Sequence, residues 1–106
     1  ISKRLLMGKA ERSLFLGPDE TAVVMPFIEK VIDTRQALYE GRKVRRKDLM
    51  NAVDSGASKG EIEQRLAEIR AAEQFQHLEL IAGEQALREI LTLQQEARFV
   101  AIGVLE

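Results

Sequence analysis

The chain has no cysteine and no tryptophan, two prolines, one histidine, and only 5% aromatic residues. Without cysteine there is neither a disulfide framework nor a thiolate metal site, and the absence suits oxidising and reducing compartments equally. With so few aromatics, a core has to be made of Leu, Ile, Val, Met and Ala. Both prolines, Pro18 and Pro26, lie in the first quarter of the 106 residues. Beyond Phe27 only one glycine-containing turn stands in the way of helix. No apolar run is long enough to cross a bilayer, and no signal peptide is visible. The chain begins with Ile1 rather than Met, which raises the expectation of an upstream segment, a signal peptide or a membrane anchor. Catalytic signatures are missing too: there is no GxSxG, no Gly-rich phosphate loop and no HExxH. Ser2, Ser13, Ser55 and Ser58 have no local base. Glu61 and Glu63 fall at a helix start, where carboxylates complement the dipole. We expect no enzyme and no cofactor.

Charge is abundant. Lys, Arg, Asp and Glu make up 31% of the chain, with a net charge of −1. That balance exerts no general pull toward nucleic acid or anionic lipid. The distribution is uneven. Residues 1–50 carry 11 basic and 7 acidic groups, a net of +4, and residues 51–106 carry 5 and 10, a net of −5. The halves should attract, within one chain or between two.

Hydrophobic spacing predicts four helices and one domain over residues 1–106. A short amphipathic helix covers about 2–15, with Leu5, Leu6, Leu14 and Phe15 apolar. Leu16-Gly17-Pro18-Asp19-Glu20 is a helix start, with proline in the first turn and acids at the positive end of the dipole. A long helix follows over about 18–53, carrying Val24, Phe27, Ile28, Val31, Leu38, Leu49, Met50 and Val53. Pro26 lies late for a first-turn proline and predicts a kink or a restart. Gly41 should weaken the middle by roughly 1 kcal/mol relative to Ala. A turn covers 54–60. Ser58 and Glu61 have capping-box spacing, and open a second long helix reaching about 91, with Ile62, Leu66, Ile69, Leu80, Leu87 and Leu91 on one side. Thr92 and Gln95 form a second capping box and start a short helix over about 93–105, with Phe99, Val100, Ile102 and Val104. No tandem repeat is present. The fold class is therefore all-α: an antiparallel hairpin about 50 Å long at ~1.5 Å per residue, with short flanking helices. Phe75 and Leu78 lie off the main stripe of the second long helix, so one chain leaves apolar groups uncovered. An elongated homodimer supplies the missing layer. Breaks in the a/d pattern at Arg35, Arg42 and Glu73 argue against a continuous coiled coil.

Three groups carry possible chemistry. His77, the single histidine, has Glu73 four residues earlier on its face, two metal ligands where a tight site needs more. The plainer reading is a histidine on a partly exposed helix. Met7, Met25 and Met50 could be soft Cu(I) ligands, but they are scattered, which favours core filling. Arg42-Lys43-Val44-Arg45-Arg46-Lys47 is the strongest local charge signal. It admits nucleic-acid contact, a solvated basic face paired with the acidic half, or a basic client-binding surface. The acidic overall balance and the absence of a recognition-helix signature weigh against nucleic acid.

Leu14-Phe15-Leu16-Gly17-Pro18-Asp19-Glu20, Val31-Ile32-Asp33-Thr34-Arg35-Gln36, Arg45-Arg46-Lys47-Asp48-Leu49-Met50 and Ile90-Leu91-Thr92-Leu93-Gln94-Gln95, in this order, resemble the Spy/CpxP-like group. That group comprises periplasmic ATP-independent chaperones, envelope-stress adaptors and heavy-metal-resistance sensors, and its mark is two LTxxQ motifs flanking a helical hairpin. The second motif is intact at Leu91, Thr92 and Gln95. The first keeps Leu16, with Gly17 for Thr and Glu20 for Gln, and Asp19 within it. The likeness spans residues 14–106. It implies a periplasmic, cradle-shaped antiparallel homodimer whose concave face is basic with apolar patches. Arg42, Arg45, Arg46 and Lys47 would steer acidic clients, and Leu49 and Met50 would give apolar contact. Unfolded or partner proteins are the expected ligands, and a membrane sensor protein is a possible partner. The alternative is a heavy-metal-sensing regulator signalling to such a membrane partner, with His77 of each chain meeting at a dimer seam. Metal-binding relatives usually carry several histidines, and this chain has one. A third reading is a structural module that docks on one partner.

Overall fold

A computed structural model describes residues 2–106, and Ile1 lies outside them. Four helices follow one another: α1 (Lys3–Leu14), α2 (Pro18–Asp54), α3 (Lys59–Ile90) and α4 (Leu93–Ile102). α2 and α3 form a long antiparallel hairpin, and the molecule measures 58 × 23 × 21 Å. α1 packs on α2 and α4 packs on α1, so both short helices sit at the open end of the hairpin, away from its turn.

Each boundary has a local cause. The Ser2 hydroxyl accepts from the Leu5 amide at 3.3 Å and starts α1. Pro18 stands in the first turn of α2, with Asp19 and Glu20 beside it. The Ser58 hydroxyl accepts from the Glu61 amide at 3.2 Å. Only half of the expected capping box is recorded there, because the Glu61 carboxylate turns along the helix to Arg65, 3.6 Å away. The box at α4 is complete: Thr92 accepts from the Gln95 amide at 3.2 Å and donates its own amide to Gln95 Oε1 at 2.9 Å. Two glycines end helices in the left-handed region. Gly56 (φ 81°) lets the Ala57 amide reach the Ala52 carbonyl, and Gly103 (φ 88°) lets the Val104 amide reach the Phe99 carbonyl. Both are Schellman closures, and at the second the customary apolar contact is made by Val104 and Phe99, both fully buried.

Three expectations are refined. Pro26 neither breaks α2 nor restarts it, since the helix is continuous from Pro18 to Asp54. Its missing donor orphans only the carbonyl of Ala22, an exposed residue open to water. The last helix ends at Ile102 rather than near 105, because Gly103 turns the chain and tucks Val104 and Leu105 into the core. Gly41 is more than a weak point in α2: a Cβ there would lie 2.7 Å from Arg45 Nη1, so its bareness lets the Arg45 side chain fold back along the helix.

The core is confined to the end where all four helices meet. Leu6, Ala10 and Leu14 from α1, Val24, Ile28, Val31, Ile32 and Leu38 from α2, Leu80 and Leu87 from α3, and Phe99, Val104 and Leu105 make it up. Among the described residues, none between Leu38 and Leu80 is buried. Ile62, Leu66 and Ile69, expected on the inner side of α3, are only half-buried, since two helices alone cover one stripe of each other.

One ion-pair network closes the packed end. Arg35, in the middle of α2, donates to Glu84 Oε1 of α3 at 2.7 Å and to the carbonyls of Gly103 and Val104 at 2.9 Å each. Glu84 is buried, and its second oxygen meets Arg88 at 3.3 Å. Arg88 also donates to the Glu106 carbonyl at 3.2 Å. The same Arg35 that breaks the heptad pattern thus ties both long helices to the C-terminal segment. Truncating one partner of a buried pair strands the other charge. Arg35→Ala should lower the unfolding free energy by about 3 kcal/mol, while the apolar double replacement Arg35→Met with Glu84→Leu should lose less. Urea unfolding of both variants checks this.

Candidate binding groove

Beyond the core, α2 runs out over α3 with its basic residues on it. Along α2 a groove of about 820 Å³ opens between the start of α1 and the middle of the hairpin. Leu6, Ile32 and Tyr39 give it an apolar lining, and Lys3, Arg35, Arg42, Lys43 and Arg46 line it with cationic groups, against the single carboxylate of Glu40. The spacing of Ile32, Tyr39, Lys43 and Arg46 along α2 puts them on one side of the helix.

The cations are held unequally. Lys3 lies 2.9 Å from Asp33 and 3.5 Å from Glu29, and the Asp33 hydrogen bond is the chief cause that raises its pKa above the usual lysine value. Arg35 is committed to Glu84. Arg42 and Arg46 share one carboxylate, Glu73 of α3, each at 3.7 Å. These are ion-pair contacts without hydrogen bonds: the Glu73 Oε1 and Arg42 Nε atoms are buried with no hydrogen-bond partner. Two guanidinium groups against one carboxylate leave about one unit of positive charge at this end of the groove. Lys43 adds to it, with Glu40 only at 3.8 Å.

The six residues expected to bind clients are therefore divided. Arg42 and Arg46 line the groove. Met50, one turn beyond Arg46, continues their side of α2 toward the tip and is exposed rather than core filling. Arg45 turns to the other edge, where it donates to Gln76 Oε1 at 2.9 Å. Lys47 is exposed and outside the groove, and Leu49 is half-buried in the stretch beyond the core. Lys3, Ile32 and Tyr39 were not expected here, and Lys43 was read only as part of the basic run. The contribution of Lys3 and Leu6 depends on α1 lying beside α2, which no local pattern signals, whereas the 4-3-4 spacing of Tyr39, Lys43, Arg46 and Met50 was available.

The motif residues have structural work. Leu16 and Leu91 pack on the rim of the core. Gln95 is buried, and besides closing the Thr92 cap it donates its Nε2 to the Leu14 carbonyl at 3.1 Å. It thus joins the start of α4 to the end of α1, where Phe15 sits at φ 54° with its ring exposed and Arg98 4.7 Å above it. At the degenerate first motif Gly17 is the cap and makes no side-chain bond, and Asp19 is exposed in the first turn.

His77 is exposed, and Glu73 faces Arg42 and Arg46 instead. No group of three or more His, Asp or Glu residues among the described residues is arranged to hold a metal ion. Met7 and Met25 pack against the core. The serines serve the backbone: Ser2 and Ser58 cap helices, and Ser13 donates to the Lys9 carbonyl at 2.8 Å. No described helix is long and apolar enough to cross a membrane. No family model, no curated protein and no solved structure matches the chain.

Gln95→Ala removes two bonds at once, one to the buried Leu14 carbonyl and one to the part-buried Thr92 amide. It should cost about 1–3 kcal/mol, the penalty for stranding such groups. In thermal unfolding, Thr92→Ala should cost about 1 kcal/mol, as for loss of a cap alone.

Proposed function

We propose that this chain is a binding protein of the Spy/CpxP-like kind: an ATP-independent, periplasmic chaperone-like or stress-adaptor homodimer that holds unfolded or partner proteins. The observation that carries this reading is the groove along α2, with its floor of Leu6, Ile32 and Tyr39 and the undercompensated cations Arg42, Lys43 and Arg46 beside it. Such a surface attracts acidic segments at long range and gives apolar contact at short range. Lys43 and Arg46 on the cationic edge are exposed, so contacts form and release there without a nucleotide-driven step. The exposed Met50 and Val53 extend the apolar area toward the tip. The hairpin with its short flanking helices and the capped Leu91-Thr92-Gln95 motif support the family reading.

A denatured, acidic client diluted into buffer with stoichiometric protein and no ATP should scatter less light than alone. Arg42→Glu with Arg46→Glu should abolish most of that suppression while leaving the helical content intact. Suppression should also weaken as salt rises. An unchanged scattering curve with the native protein would remove the chaperone reading, and capture of one stoichiometric partner would replace it with a dedicated docking role.

A further inference from the structure

Phe75 and Leu78 project from α3 on the side away from α2, 65% and 57% exposed. We infer that a second copy of this chain covers them, α3 against α3, antiparallel, about a two-fold axis between Gln76 and His77. This gives the proposed homodimer a surface and a register, and it stands independently of client binding.

The argument is complementarity. Ala71, Phe75, Leu78 and Ala82 follow one another at steps of 4, 3 and 4, the spacing of a helix–helix seam, and continue into Glu68 and Gln64 on one side and Gln85 and Glu89 on the other. All eight are exposed. Inverting the helix about its midpoint sets Phe75 beside Leu78 of the second copy, Ala71 beside Ala82, Glu68 beside Gln85 and Gln64 beside Glu89. No layer opposes two carboxylates or buries a charge against an apolar group. The two polar ends match in detail: Gln64 donates to Glu68 at 3.1 Å and Gln85 to Glu89 at 3.4 Å, so each amide–carboxylate pair meets its inverse. The sequence itself carries the inversion. Gln64-Arg65-Leu66-Ala67-Glu68 read forward matches Glu89-Arg88-Leu87-Ala86-Gln85 read backward except that Gln and Glu trade places at the ends, which sets amide against carboxylate. A parallel pairing in register would instead set Glu68 on Glu68 and Glu89 on Glu89. The eight layers span roughly 38 Å at ~1.5 Å per residue, and only the central four are apolar. The contact falls at the small end of specific interfaces, so the dimer is concentration-dependent. The seam lies on α3 and the groove on α2, so each copy keeps its groove free and the pair presents two.

The absence of native cysteine makes the test direct. Ala71→Cys and Ala82→Cys, mixed and mildly oxidised, should give a disulfide-linked dimer. Either variant alone should not, because the same residue on the two copies is separated by roughly 16 Å along the axis, beyond disulfide reach. Phe75→Glu, at an exposed site that leaves helicity unchanged, should raise the dimer dissociation constant at least tenfold in sedimentation and suppress the mixed crosslink. Equal crosslinking by either variant alone would overturn the antiparallel register. Monomers at every concentration up to millimolar would overturn the self-association, and would point to a different protein on the stripe.

Discussion

Two packed helices can shield only one stripe of each other from water, and everything in this molecule follows from where that limit is relieved. At the open end of the hairpin α1, α4 and the C-terminal Val104 and Leu105 supply the missing layer, and a continuous core forms from Leu6 to Leu105. Toward the turn nothing is added. There the helices hold together through half-buried Leu49, Ile62, Leu66 and Ile69 and through side chains reaching across, such as Arg42 to Glu73 and Arg45 to Gln76. The packed end carries the stability and the other end offers surface.

This division gives the polar groups two distinct roles. Arg35 and Glu84 are nearly enclosed and short-bonded, and they fix the closing segment against both long helices. Arg42, Arg46 and Glu73 are looser, at 3.7 Å and without hydrogen bonds, and keep a positive excess facing the groove. The first arrangement suits a lock, because removing one member strands another in low dielectric. The second leaves Arg46, an exposed side chain, open to a further carboxylate while Glu73 keeps its pairing with Arg42. The charge asymmetry between the two halves of the chain is thereby resolved within one molecule only in part.

Much of the fold was legible in the sequence. Pro18 with its trailing acids, Ser58, and Thr92 with Gln95 are local devices, and α2, α3 and α4 start where they stand. Two points turned on backbone chemistry. Pro26 is tolerated because the orphaned carbonyl is at the surface, and Gly103 ends α4 early because it takes the left-handed conformation. The groove was only half visible. Arg42, Lys43 and Arg46 belong to the basic run and share their helix with Ile32 and Tyr39, but Lys3 and Leu6 join them only through tertiary placement of α1. Arg35 was read as a fault in a heptad, since its partners Glu84, Gly103 and Val104 lie 49 to 69 residues away. Gln95 was read as a cap, and its second bond to Leu14, 81 residues back, leaves no mark in a local pattern.

Backbone hydrogen exchange tests the division of the hairpin most directly. Amides of residues 28–38 and 80–87, inside the four-helix end, should exchange only through global unfolding. Those of residues 44–53 and 59–68, on the arms next to the turn, should exchange orders of magnitude faster through local opening. Uniform protection along both arms of the monomeric protein would contradict the account, since it would mean that two helices suffice to hold the tip without a further layer.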